Sequence, residues 1–83
     1  MYQIEFGKQA TKDLAGLERT QQIRLLAKLE LAAKDPPRFF MPLKGVEGFR
    51  MRVGDLRILA EIETDPPTII VAAIGKRAGI YEA

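Results

Sequence analysis

Cysteine, histidine and tryptophan are all absent from this chain of 83 residues. Without cysteine there is neither a disulfide framework nor a thiolate metal site. Without histidine the commonest general base and the commonest metal ligand are missing too, so any chemistry has to come from Arg, Lys, Tyr or carboxylates. No apolar run approaches the ~20 residues of a membrane span. The first residues, Met1-Tyr2-Gln3-Ile4-Glu5-Phe6, lack the basic start and apolar stretch of a signal peptide. The expectation is a soluble, cytoplasmic protein with no membrane partner. A large excess of one charge is also lacking: thirteen basic residues stand against eleven acidic ones, a net +2. The sum argues only weakly for a polyanionic partner, so the distribution of charge matters more.

That distribution is uneven. Between Lys44 and Arg57 four basic residues (Lys44, Arg50, Arg52, Arg57) face two acidic ones (Glu47, Asp55), and Lys76-Arg77 follows later. Within this region Phe49, Met51 and Val53 alternate with Arg50 and Arg52. After Gly54-Asp55, Leu56, Ile58, Ala60 and Ile62 alternate with Arg57, Leu59, Glu61 and Glu63. Period-two alternation predicts two half-buried strands. Gly54-Asp55 predicts a tight hairpin, with Gly54 taking the positive φ that a type II′ turn needs at its first central position. A two-residue loop sets Val53 opposite Leu56 and Arg52 opposite Arg57, with Arg50 on the same face two residues away. Like charges in direct opposition destabilise a sheet. Two readings fit: a solvated polar strand face, or a face on which an anion such as a phosphate backbone normally sits.

The remainder reads as a small α+β domain. Tyr2 to Phe6 alternates as a strand and Gly7 ends it. Ala10, Leu14 and Leu17 follow helical spacing from Lys8 to about Leu17. Thr20 is the expected cap of a second helix, whose apolar positions Ile23, Leu26, Leu29 and Ala33, widened by Leu25 and Ala32, form one broad stripe through to Lys34. That stripe is either spent on the intramolecular core or open to a partner. Asp35-Pro36-Pro37 stops the helix. Arg38 to Lys44 is an apolar connector, and its Phe39, Met41 and Leu43 either cover the end of the core or stack on RNA bases. Asp65-Pro66-Pro67 is a turn. Thr68 to Ile74 is apolar almost throughout, as in a central strand, and ends at Gly75. The expected order is β-α-α-β-β-β: an antiparallel meander of three strands, the first strand joining its edge, and a helical hairpin on one face. The arginines are expected on the face opposite the helices, or along an open edge. Tyr81, beyond Lys76-Arg77, is either a core plug beside Ile80 or part of a site.

This pattern resembles the RelE/ParE superfamily of small toxins from type II toxin–antitoxin systems. The resemblance rests on the basic hairpin from Phe49 to Arg57, the late Gly75-Lys76-Arg77 with Tyr81 beyond it, and Leu43-Lys44-Gly45 before the hairpin, in that order. It implies a single RelE-like toxin domain over residues 1–83, closest to the RelE branch. That branch implies a ribosome-dependent endoribonuclease that cleaves messenger RNA in the A site without a cofactor. Its catalytic positions correspond to Arg57, Arg77 and Tyr81, and its phosphate-binding positions to Lys44, Arg50, Arg52 and Lys76. The branch carries lysines where this chain has Arg50 and Arg52. Arginine keeps a permanent charge and a bidentate fork for phosphate but does not readily release a proton, so those two positions suit clamping better than proton transfer. The partners implied are a cognate antitoxin, the ribosome and mRNA. No DNA-reading motif is present, so direct DNA binding by this chain alone is not expected. The superfamily's ParE-like members instead poison DNA gyrase, and a non-catalytic RNA-binding member would use the same arginines for phosphate contacts alone.

Overall fold

The computed structural model describes residues 1–76. Eight elements follow in order: β1 (Gln3–Phe6), α1 (Lys8–Ala15), α2 (Arg19–Lys34), α3 (Pro36–Phe39), β2 (Met41–Pro42), β3 (Phe49–Val53), β4 (Leu56–Thr64) and β5 (Pro67–Lys76). They build a five-stranded sheet of order β1-β5-β4-β3-β2. The expected meander is β3-β4-β5, antiparallel throughout. The first strand does join its edge, but it runs parallel to β5, so the sheet is mixed rather than wholly antiparallel. A parallel pair cannot be joined by a tight turn, and here the helices and strands β2 to β4 all lie between the two partners in sequence.

Local chemistry explains the element boundaries. Helix α2 starts one residue before Thr20: Glu18 is the N-cap, and a capping box forms in which the Gln21 side chain accepts from the Glu18 N–H at 3.2 Å. The expected Thr20 cap is therefore displaced by this reciprocal pair, which satisfies two orphan donors where a threonine satisfies one. At the other end Asp35 closes α2, and the two prolines of the expected stop then start the short helix α3, which runs into the expected connector as far as Phe39. Proline fits the first helical turn because its missing N–H has no partner to lose there.

The core lies between the sheet and its helices. Leu25, Leu29, Ala32 and Ala33 of α2 and Ala10 of α1 are buried with Met51, Val53, Leu56, Ile58, Ile69, Val71 and Ile74 of the sheet. This arrangement divides the α2 stripe. Leu25, Leu29, Ala32 and Ala33 face inward, whereas Ile23 and Leu31 are 58% and 52% exposed and Leu26 is also exposed. Helix α1 is tied to the last part of β5. Strand β1 pairs with β5 only as far as Val71, and the Asp13 carboxylate then accepts the Ile74 N–H at 2.9 Å. Gln9 donates to the other Asp13 oxygen at 2.8 Å. A strand edge that has lost its neighbour thus keeps its donor satisfied. No helix among the described residues is long and apolar enough to cross a membrane.

Candidate nucleic-acid interface

The hairpin has the register that its alternation predicts. Val53 pairs with Leu56, Arg52 with Arg57, Met51 with Ile58 and Arg50 with Leu59. Gly54 takes φ +62, and Asp55 does not take a positive φ. That combination excludes a type I′ turn, which needs positive φ at both central residues, and fits type II′. Directly opposed residues share a face. Met51, Val53, Leu56 and Ile58 turn into the core, so Arg50, Arg52 and Arg57 occupy the face away from the helices. Arg52 is exposed, Arg50 half-buried and Arg57 only 8% exposed.

The neighbour of Arg57 on the other side is Gly75 of β5, and a bulge decides this. From the Asp65-Pro66 turn the strands pair Thr64 with Pro67 and continue in step to Ala60 with Val71. Carried on unchanged, that register would set Ile74 opposite Arg57. A shift between Leu59 and Ala60 instead pairs Leu59 with Ala73, Ile58 with Ile74 and Arg57 with Gly75. One extra residue on a strand reverses the facing of everything beyond it. Ile74 is thereby delivered to the core, and a residue without a side chain pairs with Arg57 on the open face.

The same shift relocates Lys76. It pairs with Leu56, so the register assigns it to the helix-bearing face, at the exposed end of β5, and not to the arginine face. Lys44 is separated in another way. It is exposed in the loop between β2 and β3, at the end of β3 remote from the hairpin turn. Of the expected site residues, Arg50, Arg52 and Arg57 come together on one face; Lys76 lies across the sheet and Lys44 at its other end. Arg77 and Tyr81 lie outside the described residues.

Two cations of α2 also reach the hairpin. Lys28 of α2 donates from Nζ to the Arg52 carbonyl at 2.6 Å. The Nη1 of Arg24, one helical turn earlier, lies 3.6 Å from where a Cβ on Gly54 would stand. Their i, i+4 spacing was visible in the sequence, but nothing there showed that this edge of α2 overlies the turn. Lys28 holds the strand that carries Arg52, while Arg24 adds a positive charge at the tip. Among the described residues no group of three or more Asp or Glu is placed to hold a metal ion.

Permanent cations on a sheet face suit a phosphate backbone: guanidinium forks match phosphate oxygens bidentately, and a partly dehydrated site strengthens the attraction. Comparison with known proteins agrees with the fold. A structure of the archaeal RelE–RelB complex from Pyrococcus horikoshii OT3 matches with 22% identity and a TM-score of 0.76 over 95% of this chain and 98% of that one. The toxin–antitoxin complex RelBE2 from Mycobacterium tuberculosis matches with 25% identity and a TM-score of 0.73, over 92% and 98%. The isolated RelE toxin of E. coli matches with 22% identity and a TM-score of 0.74, over 98% and 92%. No curated protein matches the chain. The model of the family described as the ParE toxin of the type II toxin–antitoxin system parDE matches residues 4–81. With that match over nearly its whole length, and a RelE-like fold, this chain belongs to the ParE toxin family of type II toxin–antitoxin systems, within the RelE/ParE superfamily.

Proposed function

We propose that this toxin is an endoribonuclease that cleaves messenger RNA in the ribosomal A site and so stops translation. The observation that carries the reading is the direct opposition of Arg52 and Arg57, with Arg50 beside them, on a sheet face turned away from the core. Such a cluster of like charges is relieved when a polyanion lies across it.

RNA brings its own nucleophile. The 2′-oxygen attacks the adjacent phosphorus, the P–O5′ bond breaks, and the products end in a 2′,3′-cyclic phosphate and a 5′-hydroxyl. The protein has to align the attack, stabilise the added negative charge and move protons, and this needs neither a cofactor nor a metal. Arg57, the most buried of the three arginines, is the charge stabiliser, together with Arg77. Arg50 and Arg52 hold the phosphates on either side of the scissile bond. Tyr81 is the residue assigned to accept the 2′-hydroxyl proton. Lys76 and Lys44, set apart from the arginine face, contact more distant phosphates. The partner that silences the toxin is a cognate antitoxin. The exposed row of Ile23, Leu26 and Leu31, with Arg24 and Lys28 along one side, suits an acidic amphipathic segment of that protein.

The family name favours a second reading, a ParE-like poison of DNA gyrase. Incubating the purified chain with programmed ribosomes, with gyrase supercoiling assayed in parallel, separates the two. The expected result is cut mRNA with a 5′-hydroxyl on the downstream fragment and unaffected gyrase. Tyr81→Phe should abolish cutting while ribosome binding persists. Intact mRNA with inhibited supercoiling would sink the proposal in favour of the gyrase reading.

A further inference from the structure

Strand β4 outlasts its neighbour. β3 begins at Phe49, which pairs with Ala60, so the last four residues of β4, Glu61 to Thr64, have β5 on one side and no strand on the other. The direction of their peptide groups follows from the register. The Gly7 N–H donates to the Val71 carbonyl at 2.8 Å, so Val71 turns its peptide groups toward β1, and Ile69, two residues earlier, does the same. Thr68 and Ile70 therefore turn theirs toward β4 and bond Glu63 and Glu61. By the same alternation Ile62 and Thr64 direct their N–H and C=O groups to the opposite edge, past the end of β3. This is an exposed strand edge of the kind that templates a further strand.

The surroundings of that edge differ on its two faces. On the helix side lies a cleft of about 410 Å³ whose walls include Tyr2, Pro36, Phe40, Phe49 and Ile62. A second cleft of about 440 Å³ shares Phe49 and Ile62 with it and is rimmed by Glu47, Glu61 and Glu63. The single cation of the neighbouring loop, Lys44, does not line it. Ile62 pairs with Ile69 on the core face, whereas Glu61 and Glu63 pair with Ile70 and Thr68 on the open face.

We infer that this notch is a strand-addition site for an extended peptide of a partner protein, one in which apolar and basic residues alternate. The peptide would bond the main chain of Ile62 and Thr64. Its apolar side chains would enter the helix-side cleft, and its lysines or arginines would stand over Glu61 and Glu63. Main-chain bonds supply the affinity in such complexes and the alternate side chains supply the selection. This inference is independent of the RNA-cleaving reading, because it uses the opposite end of the sheet and needs no catalysis.

The test is a titration of the full chain with a short capped peptide alternating leucine and lysine, followed by amide hydrogen exchange. Saturable binding with new protection of the Ile62 and Thr64 amides is the expected result. A leucine–glutamate peptide should bind about tenfold more weakly, since two cross-strand charge pairs turn from attraction to repulsion. The double variant Glu61→Lys, Glu63→Lys, changed only at exposed positions, should reverse that preference. The proposal is overturned if saturating peptide leaves both amides unprotected, or if the two peptides bind alike. It is also overturned if protection arises without peptide and rises with protein concentration, which would give the edge to a second copy of the chain.

Discussion

The two ends of the open sheet face are built alike and charged oppositely. Near the hairpin turn, β3 and β4 place Arg50, Arg52 and Arg57 outward; near the Asp65-Pro66 turn, β4 places Glu61 and Glu63 outward, with Glu5 exposed on β1. Both ends rest on one core and follow one rule, a period of two. They differ in what the inward residues allow the outward ones to do. At the basic end β4 is flanked on both sides and Arg57 is only 8% exposed. At the acidic end β4 has lost a neighbour and its backbone is open. On the proposed readings, such a sheet meets a polyanion with one end and a polypeptide with the other, and Glu61 and Glu63 repel RNA from the strand face they occupy.

The largest way to break this comparison is Arg57→Ala. On the proposed mechanism it should slow cleavage by about 100- to 1,000-fold, the cost of removing one preorganised donor to the transition state. Single-turnover cutting of mRNA on programmed ribosomes measures it, and an unchanged rate would remove Arg57 from the chemistry. Ile58→Ala acts on the shared foundation. A fully buried side chain in mid-sheet should cost about 2–5 kcal/mol of stability in chemical denaturation. Because both ends stand on the same core, peptide binding and RNA binding should be lost together across one transition. Gly54→Ala tests the turn alone. Forcing an alanine into φ +62 should cost about 1–2 kcal/mol, and chemical-shift changes should cluster at Arg52 and Arg57 without reaching Glu63.

Smaller effects sharpen the contrast. Arg52→Ala should weaken RNA binding across sequences and lower the slope of log affinity against log salt by about 1. A slope equal to that of the unaltered chain would mean that Arg52 touches no phosphate. Smallest of all, replacing Glu61 and Glu63 by glutamine should leave the cleavage rate unaltered and tighten RNA binding by only about threefold or less, because exposed charges beyond a Debye length of ~10 Å are largely screened. A large gain in RNA affinity there would mean that RNA also crosses the acidic end.

Much of this was legible in the residues. Phe49 to Ile62 alternates around Gly54-Asp55 with Leu59 as the one apolar residue at an outward position, and a one-residue slip would turn Met51, Val53 and Ile58 out to solvent, so the facing of the hairpin was legible, and its exact register followed once the loop was taken as two residues. The resemblance to the RelE/ParE superfamily was legible for the same reason: its distinctive residues sit on that hairpin and at the end of the strand that follows. The division of the α2 stripe was not legible. Ile23 and Leu31 have the same apolar chemistry as Leu25 and Leu29, and only the position of the sheet decides which row is covered. The place of Arg24 and Lys28 was not legible either, because the hairpin tip lies beside them through folding and not through sequence proximity.

By itself, then, the chain determined its local patterns: the paired arginines, the turn between them, the helix stops, and the lack of histidine and cysteine that confines the chemistry to arginines, lysines, tyrosines and carboxylates. Periodicity and turn chemistry act over a few residues, and a sequence carries them directly. Only the tertiary structure decided which side of the sheet Lys76 takes, that Gly75 borders Arg57, and that β4 runs on past β3 into an open notch. Each of these depends on a bulge or on the unequal lengths of neighbouring strands, settled by how Ile74, Val71 and Ile69 fill the core beneath α1 and α2. That packing is a property of the whole molecule, and no stretch of the chain expresses it alone.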